Sequence, residues 1–163
     1  MKVLIAYDSF FGNTEKIAQA IGSALGSPQD VATLRVNTVT PEQLTGLELL
    51  IVGSPTRGFR PSEATLKFLK SIAPAALKGV RVAAFDTRIA TSDIKSPILR
   101  FFINFAGYAA KPIAEQLKKK GGDLVVEPEG FYVKASEGPL KDGELERAAD
   151  WARRVGEARN TVS

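Results

Sequence analysis

The residues best suited to chemistry stand near the start of the chain. Asp8-Ser9-Phe10-Phe11-Gly12-Asn13-Thr14 follows a short apolar run, Lys2-Val3-Leu4-Ile5-Ala6-Tyr7, and precedes helical spacing at Ile17, Ala20, Ile21, Ala24 and Leu25. The order is buried strand, tight loop, helix. A helix start leaves its first N–H groups unpaired and carries partial positive charge, which suits a phosphate. Ser9 and Thr14 add hydroxyl donors, Asn13 adds an amide, and Gly12 lets the backbone approach closely. No Lys or Arg lies in the loop, so an anion there would be held by dipoles and neutral donors. The alternative is a capped β–α turn that binds nothing.

The 163 residues include no cysteine and no histidine. This excludes disulfides, thiol catalysis and cysteine metal sites, and it removes the usual general base, the commonest metal ligand and Ser-His-Asp hydrolysis. No catalytic residue and no metal site is read from the sequence, and any chemistry is expected to belong to a bound cofactor. A hydrophobic content of 44% and a charged content of 25% are those of an ordinary globular protein, and the length suits a single domain over residues 1–163. No apolar run approaches a membrane span and the N-terminal run lacks a signal-peptide layout, so a cytoplasmic protein is expected. The net charge of +4 is dispersed, and its one basic run, Lys118-Lys119-Lys120, sits at an expected helix C-terminus. Nucleic-acid binding is not expected.

The stretch Tyr7-Asp8-Ser9-Phe10-Phe11-Gly12-Asn13-Thr14-Glu15-Lys16-Ile17-Ala18 resembles the flavodoxin signature, whose hydroxyl-rich loop after the first strand holds the phosphate of FMN. A Gly-x-Gly-x-x-Gly dinucleotide pattern and a Gly-Lys-Ser/Thr P-loop are both missing. The resemblance implies FMN as cofactor, with Ser9 to Thr14 around its phosphate. A second loop, Gly53-Ser54-Pro55-Thr56-Arg57-Gly58-Phe59-Arg60-Pro61, is similar to the second flavin loop of flavodoxins and of flavodoxin-like quinone reductases. The resemblance assigns Pro55, Thr56, Arg57, Gly58 and Phe59 to the ring, with Gly58 where the family's backbone flips to bond the reduced flavin N5. Arg57 departs from the aromatic common at its position, although it resembles the Pro-Thr-Arg of the quinone-reductase branch. Its guanidinium would lie against the ring or reach its polar edge, with Phe59 supplying the stack. Alternatively Phe59 is a core anchor and Arg57 a solvated charge. Asp86, Thr87 and Arg88 open the third such loop, at the pyrimidine edge, although the Gly-rich and aromatic character common there is missing. Asp86 and Arg88 paired with each other, or facing water, are the alternatives.

Positioning these loops requires a regular frame. Strands are expected at Val3–Tyr7, Val31–Val36, Leu47–Gly53 and Val80–Phe85, with a final strand split between Leu124–Val126 and Phe131–Val133 by Glu127-Pro128-Glu129-Gly130. A short helix is expected after Thr40-Pro41. Helices are expected from about Ser62, with Leu66, Leu69 and Ile72 inward, at Pro112–Lys120, and at Gly143–Glu157, with Leu145, Ala148, Ala149, Ala152 and Val155 inward. Alternating strands and helices imply an α/β fold, a doubly wound five-stranded parallel sheet with helices on both faces. The flavodoxin-like order 2-1-3-4-5 places a ligand at the switch point between strands one and three. Pro97–Tyr108 is apolar on all sides and is expected to be extra core, a cover for the flavin, or a homodimer surface.

Three functions remain open. The first is an FMN electron carrier passing electrons between redox partner proteins. The second is an FMN-dependent NAD(P)H or quinone oxidoreductase acting on a reducible small molecule, motivated by Arg57, Arg60 and Arg88. The third is a flavin-free binding module on the same fold.

Overall fold

The computed structural model describes residues 2–159, without the side chains of residues 102–106. Its elements are β1 Val3–Tyr7, α1 Asn13–Leu25, β2 Val31–Arg35, β3 Leu49–Arg57, β4 Arg60–Pro61, α2 Glu63–Ser71, β5 Arg81–Ile89, α3 Pro97–Ala106, α4 Ala110–Lys119, β6 Asp123–Leu124, β7 Glu129–Val133 and α5 Glu144–Glu157. The sheet runs β2-β1-β3-β5, with β6 and β7 both pairing parallel to β5 along its outer edge. These two segments are the expected split fifth strand, so the order is the flavodoxin-like one. Val3, Ile5, Leu49 and Ile51 pack towards α1 and α5 on one face of the sheet, and Leu4, Leu50, Val52 and Val82 pack towards α2 and α4 on the other. Strands buried on both faces must be apolar at every position, as β1 is.

Two strands are longer than expected. β3 continues through Ser54, Pro55 and Thr56 to Arg57, then turns back into β4, where Arg57 pairs with Arg60. Gly58 and Phe59, with φ of 55° and 69°, are the central residues of this two-residue turn. Positive φ at both is the primed geometry that fits the strand twist. β5 continues through Asp86, Thr87 and Arg88 to Ile89, paired with β3 as far as Thr87 and with β7 from Phe85 onward. The expected second and third loops are therefore strand ends. The short helix after Thr40 is a single 3₁₀ turn, Pro41–Leu44, with Thr40 and Gln43 forming a capping box.

The helices need two corrections. In α2, Leu69 and Ile72 are buried as expected, but Thr65 and Phe68 complete the inner face and Leu66 is half-buried. In α5 the inner face is Glu144, Ala148, Trp151, Ala152 and Val155, while Leu145 is exposed and Ala149 half-buried. Glu144 takes the first inner position, and its carboxylate accepts from Tyr132 N–H at 2.7 Å and from Arg147 Nη2 at 2.6 Å. Burial pushes this carboxyl up, yet these bonds outweigh burial and hold it below its ordinary range. A depressed folded-state value adds stability that is present above the unfolded value, about 4.3, and is lost as pH falls through the folded one. Glu144→Gln is therefore expected to narrow the gap between urea midpoints measured at neutral and at acid pH. A gap equal to that of the parent chain would show that Glu144 does not drive it.

Backbone alone is described for part of α3. Ile98, Leu99 and Phe101 on it are exposed. The expected homodimer or covering role of Pro97–Tyr108 rests in part on side chains 102–106, which lie outside the described residues. No helix among the described residues is long and apolar enough to cross a membrane.

Candidate functional site

The C-terminal ends of β1, β3 and β5 meet around a cavity of about 480 Å³. Its wall includes Ser9, Phe10, Phe11, Asn13 and Thr14 from the first loop, Pro55, Thr56, Arg57 and Gly58 from β3 and its turn, and Thr87 and Arg88 from β5. The volume lies in the range of small-molecule and cofactor sites. Of the residues expected here, Gly12, Phe59 and Asp86 are not in the wall. Gly12 supports it from behind, with φ of 88° as the cap of α1. Phe59 falls in the turn beyond the strand end.

The start of α1 is open. No side chain caps it, and Lys16 N–H, bonded to Gly12 O at 3.1 Å, is the first in the helix to find an acceptor. The earlier N–H groups of Asn13, Thr14 and Glu15 have no acceptor among the described residues. Ser9 Oγ accepts from Gly12 N–H at 3.1 Å and keeps its own proton to donate. Thr14 Oγ1 and Thr87 Oγ1 are 2.7 Å apart and both buried. One hydroxyl of this pair donates to the other, whose own proton remains available. Asn13 Nδ2 is committed to the Glu137 carbonyl at 3.1 Å. That bond brings in a part of the wall not expected from the sequence, Ser136 and Glu137 after β7, with Ile89 and Val133 beside them. The signal was available: Ser136-Glu137-Gly138-Pro139 is a turn at the same end of the sheet.

Phe10 and Phe11 are 55% and 48% exposed at the cavity mouth. The Arg57 guanidinium lies 4.9 Å from the Phe10 ring centroid and 5.7 Å from that of Phe11. A cation over two aromatic rings joins the first loop to β3.

Asp86 is fully buried below the wall. Arg88 donates to both its oxygens, Nε to Oδ1 at 2.6 Å and Nη2 to Oδ2 at 2.7 Å, and Ala110 N–H adds a third bond at 2.8 Å. Burial pushes the Asp86 carboxyl up and these donors pull against it. Burial disfavours the Arg88 cation too, but the carboxylate more than offsets this and holds its guanidinium above the ordinary value. Arg88 also stacks on Tyr108, 3.8 Å from the ring centroid, and separates the cavity from a second one of about 430 Å³. The pairing alternative for Asp86 and Arg88 is therefore realised, and Asp86 does not border the cavity. Gly130 makes room for Arg88, since a Cβ there would lie 2.1 Å from Nε.

The comparisons with known proteins agree with this architecture. The family described as flavodoxin domain matches residues 4–126. The chain belongs to the flavodoxin family. A search of curated proteins finds no match. Among solved structures, a flavodoxin from the domain Archaea is 24% identical, with TM-score 0.74 and coverage of 96% of this chain and 97% of that one. Flavodoxin 2 from Bacillus cereus is also 24% identical at TM-score 0.74, covering 96% and 99%. A WrbA-like flavodoxin protein from Agrobacterium tumefaciens is 19% identical at TM-score 0.69, covering 95% and 94%. At these identities the likeness is one of fold.

Proposed function

We propose that the chain binds FMN in the cavity at the ends of β1, β3 and β5 and carries electrons between redox partners. The observation that carries this reading is the open start of α1, whose N–H groups lack acceptors and share a cavity wall with the hydroxyls of Ser9 and Thr14. A neutral donor set of this kind suits a phosphomonoester. These residues would hold the phosphate. Pro55, Thr56 and Gly58 would border the ring, with Arg57, Phe10 and Phe11 as its stacking groups in place of Phe59. Thr87 and Arg88 would border its polar edge. Bound FMN supplies the electron transfer, and the chain's part is to bind it, orient it and fix the charge around it.

A reductase acting on a small molecule is the second reading, favoured by exposed Arg57 and Arg60 beside the cavity mouth. Neither makes a salt bridge with a carboxylate among the described residues. A visible spectrum of the protein titrated with FMN, then followed through stepwise reduction, tests the proposal. A bound flavin spectrum with a one-electron stage is expected for the carrier. Reduction in a single two-electron stage, with turnover of NAD(P)H and a benzoquinone, would favour the reductase. Failure to bind added FMN would overturn both.

A further inference from the structure

Arg35 lies outside the three loops at the cavity. It ends β2, the edge strand, opposite Tyr7 of β1, and it is not in the cavity wall. Its side chain nevertheless reaches over the end of β1 to both sides of the first loop. Nη1 donates to the Ser9 carbonyl at 3.0 Å and lies 3.9 Å from Asp8 Oδ1. Nη2 donates to Glu15 Oε2 at 2.8 Å, and the guanidinium carbon is 5.4 Å from the Tyr7 ring centroid. One cation thus ties the entry of the loop to the first turn of α1.

Two consequences bear on an anion. Asp8 and Glu15 are the acidic residues flanking a loop that contains no cation, and each would repel a phosphate dianion. Arg35 faces both of them. The charge of Glu15 is felt locally: after burial itself, that carboxylate is the next cause raising the Tyr7 phenol, and Arg35 opposes it. The second consequence is geometric. In a planar trans peptide the C=O and the following N–H point in opposite directions. Drawing the Ser9 carbonyl towards Arg35 turns the Phe10 N–H away from it, and no acceptor takes that N–H among the described residues.

We infer that Arg35 is the positioning residue that makes this loop selective for a phosphomonoester, by neutralising Glu15 and Asp8 and fixing the Ser9 peptide. The inference rests on the FMN reading above, and it names riboflavin, the same ring without phosphate, as the ligand to be discriminated against.

The test is a fluorescence titration of the flavin-free protein with FMN and with riboflavin, for the parent chain, Arg35→Met and Arg35→Lys. Arg35 is half-exposed on an edge strand, so both variants should fold, and circular dichroism checks this. Arg35→Met is expected to raise the FMN Kd roughly tenfold and to leave the riboflavin Kd within about twofold, as loss of one nearby charge implies. Arg35→Lys, which keeps the charge, is expected to recover most of the FMN affinity. An equal rise for both ligands would make Arg35 a scaffold residue only and overturn the inference, as would no change for either or a lysine variant no better than methionine. A parent chain that binds neither flavin would bring down the FMN reading and this inference with it. A parent chain that binds FMN, with no discrimination lost at Arg35, would bring down this inference alone.

Discussion

Replacing Arg88 with leucine is expected to cost about 3–5 kcal/mol of folding stability, because it leaves a buried carboxylate without its counter-charge. Asp86 has no exposure, and two of its three hydrogen bonds come from Arg88. The Ala110 N–H alone cannot satisfy a charged group at that depth. Changing Asp86 to leucine and Arg88 to methionine together is expected to return most of the loss, since apolar replacement of a buried pair is often neutral. Urea unfolding of the flavin-free protein reads both. A single variant no less stable than the double one would show that Arg88 does not sustain Asp86. Gly130→Ala is a second route to the same pair, because its Cβ would occupy the place of the Arg88 guanidinium.

The pair also shows what the sequence could and could not reveal. Asp86-Thr87-Arg88 and Ser54-Pro55-Thr56-Arg57 read as loops because their apolar runs have ended, yet both are strand, in register through Ser54 opposite Asp86 and Pro55 opposite Thr87. Pro55, Thr56, Arg57, Thr87 and Arg88 are at a cavity wall rather than in a core, while Ser54 and Asp86 are buried with polar partners of their own. Alternation along β5 then separates neighbours: Asp86 and Arg88 share one face, and Thr87 takes the other, towards Thr14. A pattern scan for apolar runs has no access to that division. The β1–loop–α1 unit was legible because its apolar run, glycine and helical spacing all agree. In α5 the inward Ala148, Ala152 and Val155 were legible, but the start of the inner face was not, since a buried glutamate held by Arg147 takes a core position while Leu145 faces outward. Nor was Arg35, whose partners in the first turn of α1 and in the first loop lie 20 and 26 residues away. Side chains that join distant segments leave no periodic trace.

Thr14 and Thr87 form another such join, 73 residues apart. Thr14→Val is expected to weaken FMN binding by about 1–3 kcal/mol, the range for losing a hydrogen bond to a charged group. Valine keeps the branched shape, so the change removes the hydroxyl and little else. Thr87→Val should weaken FMN less. It removes the partner of the Thr14 hydroxyl, but leaves that hydroxyl in the first loop, free to donate to the phosphate. Titration of the two variants with FMN separates three cases. A larger loss at Thr14 places the phosphate donor there. Equal losses would mean that the two hydroxyls act as one unit, with Thr87 orienting the proton that Thr14 donates. Unchanged affinity in Thr14→Val would place the phosphate away from this helix start, and the donors left open at Asn13, Thr14 and Glu15 would then need another ligand.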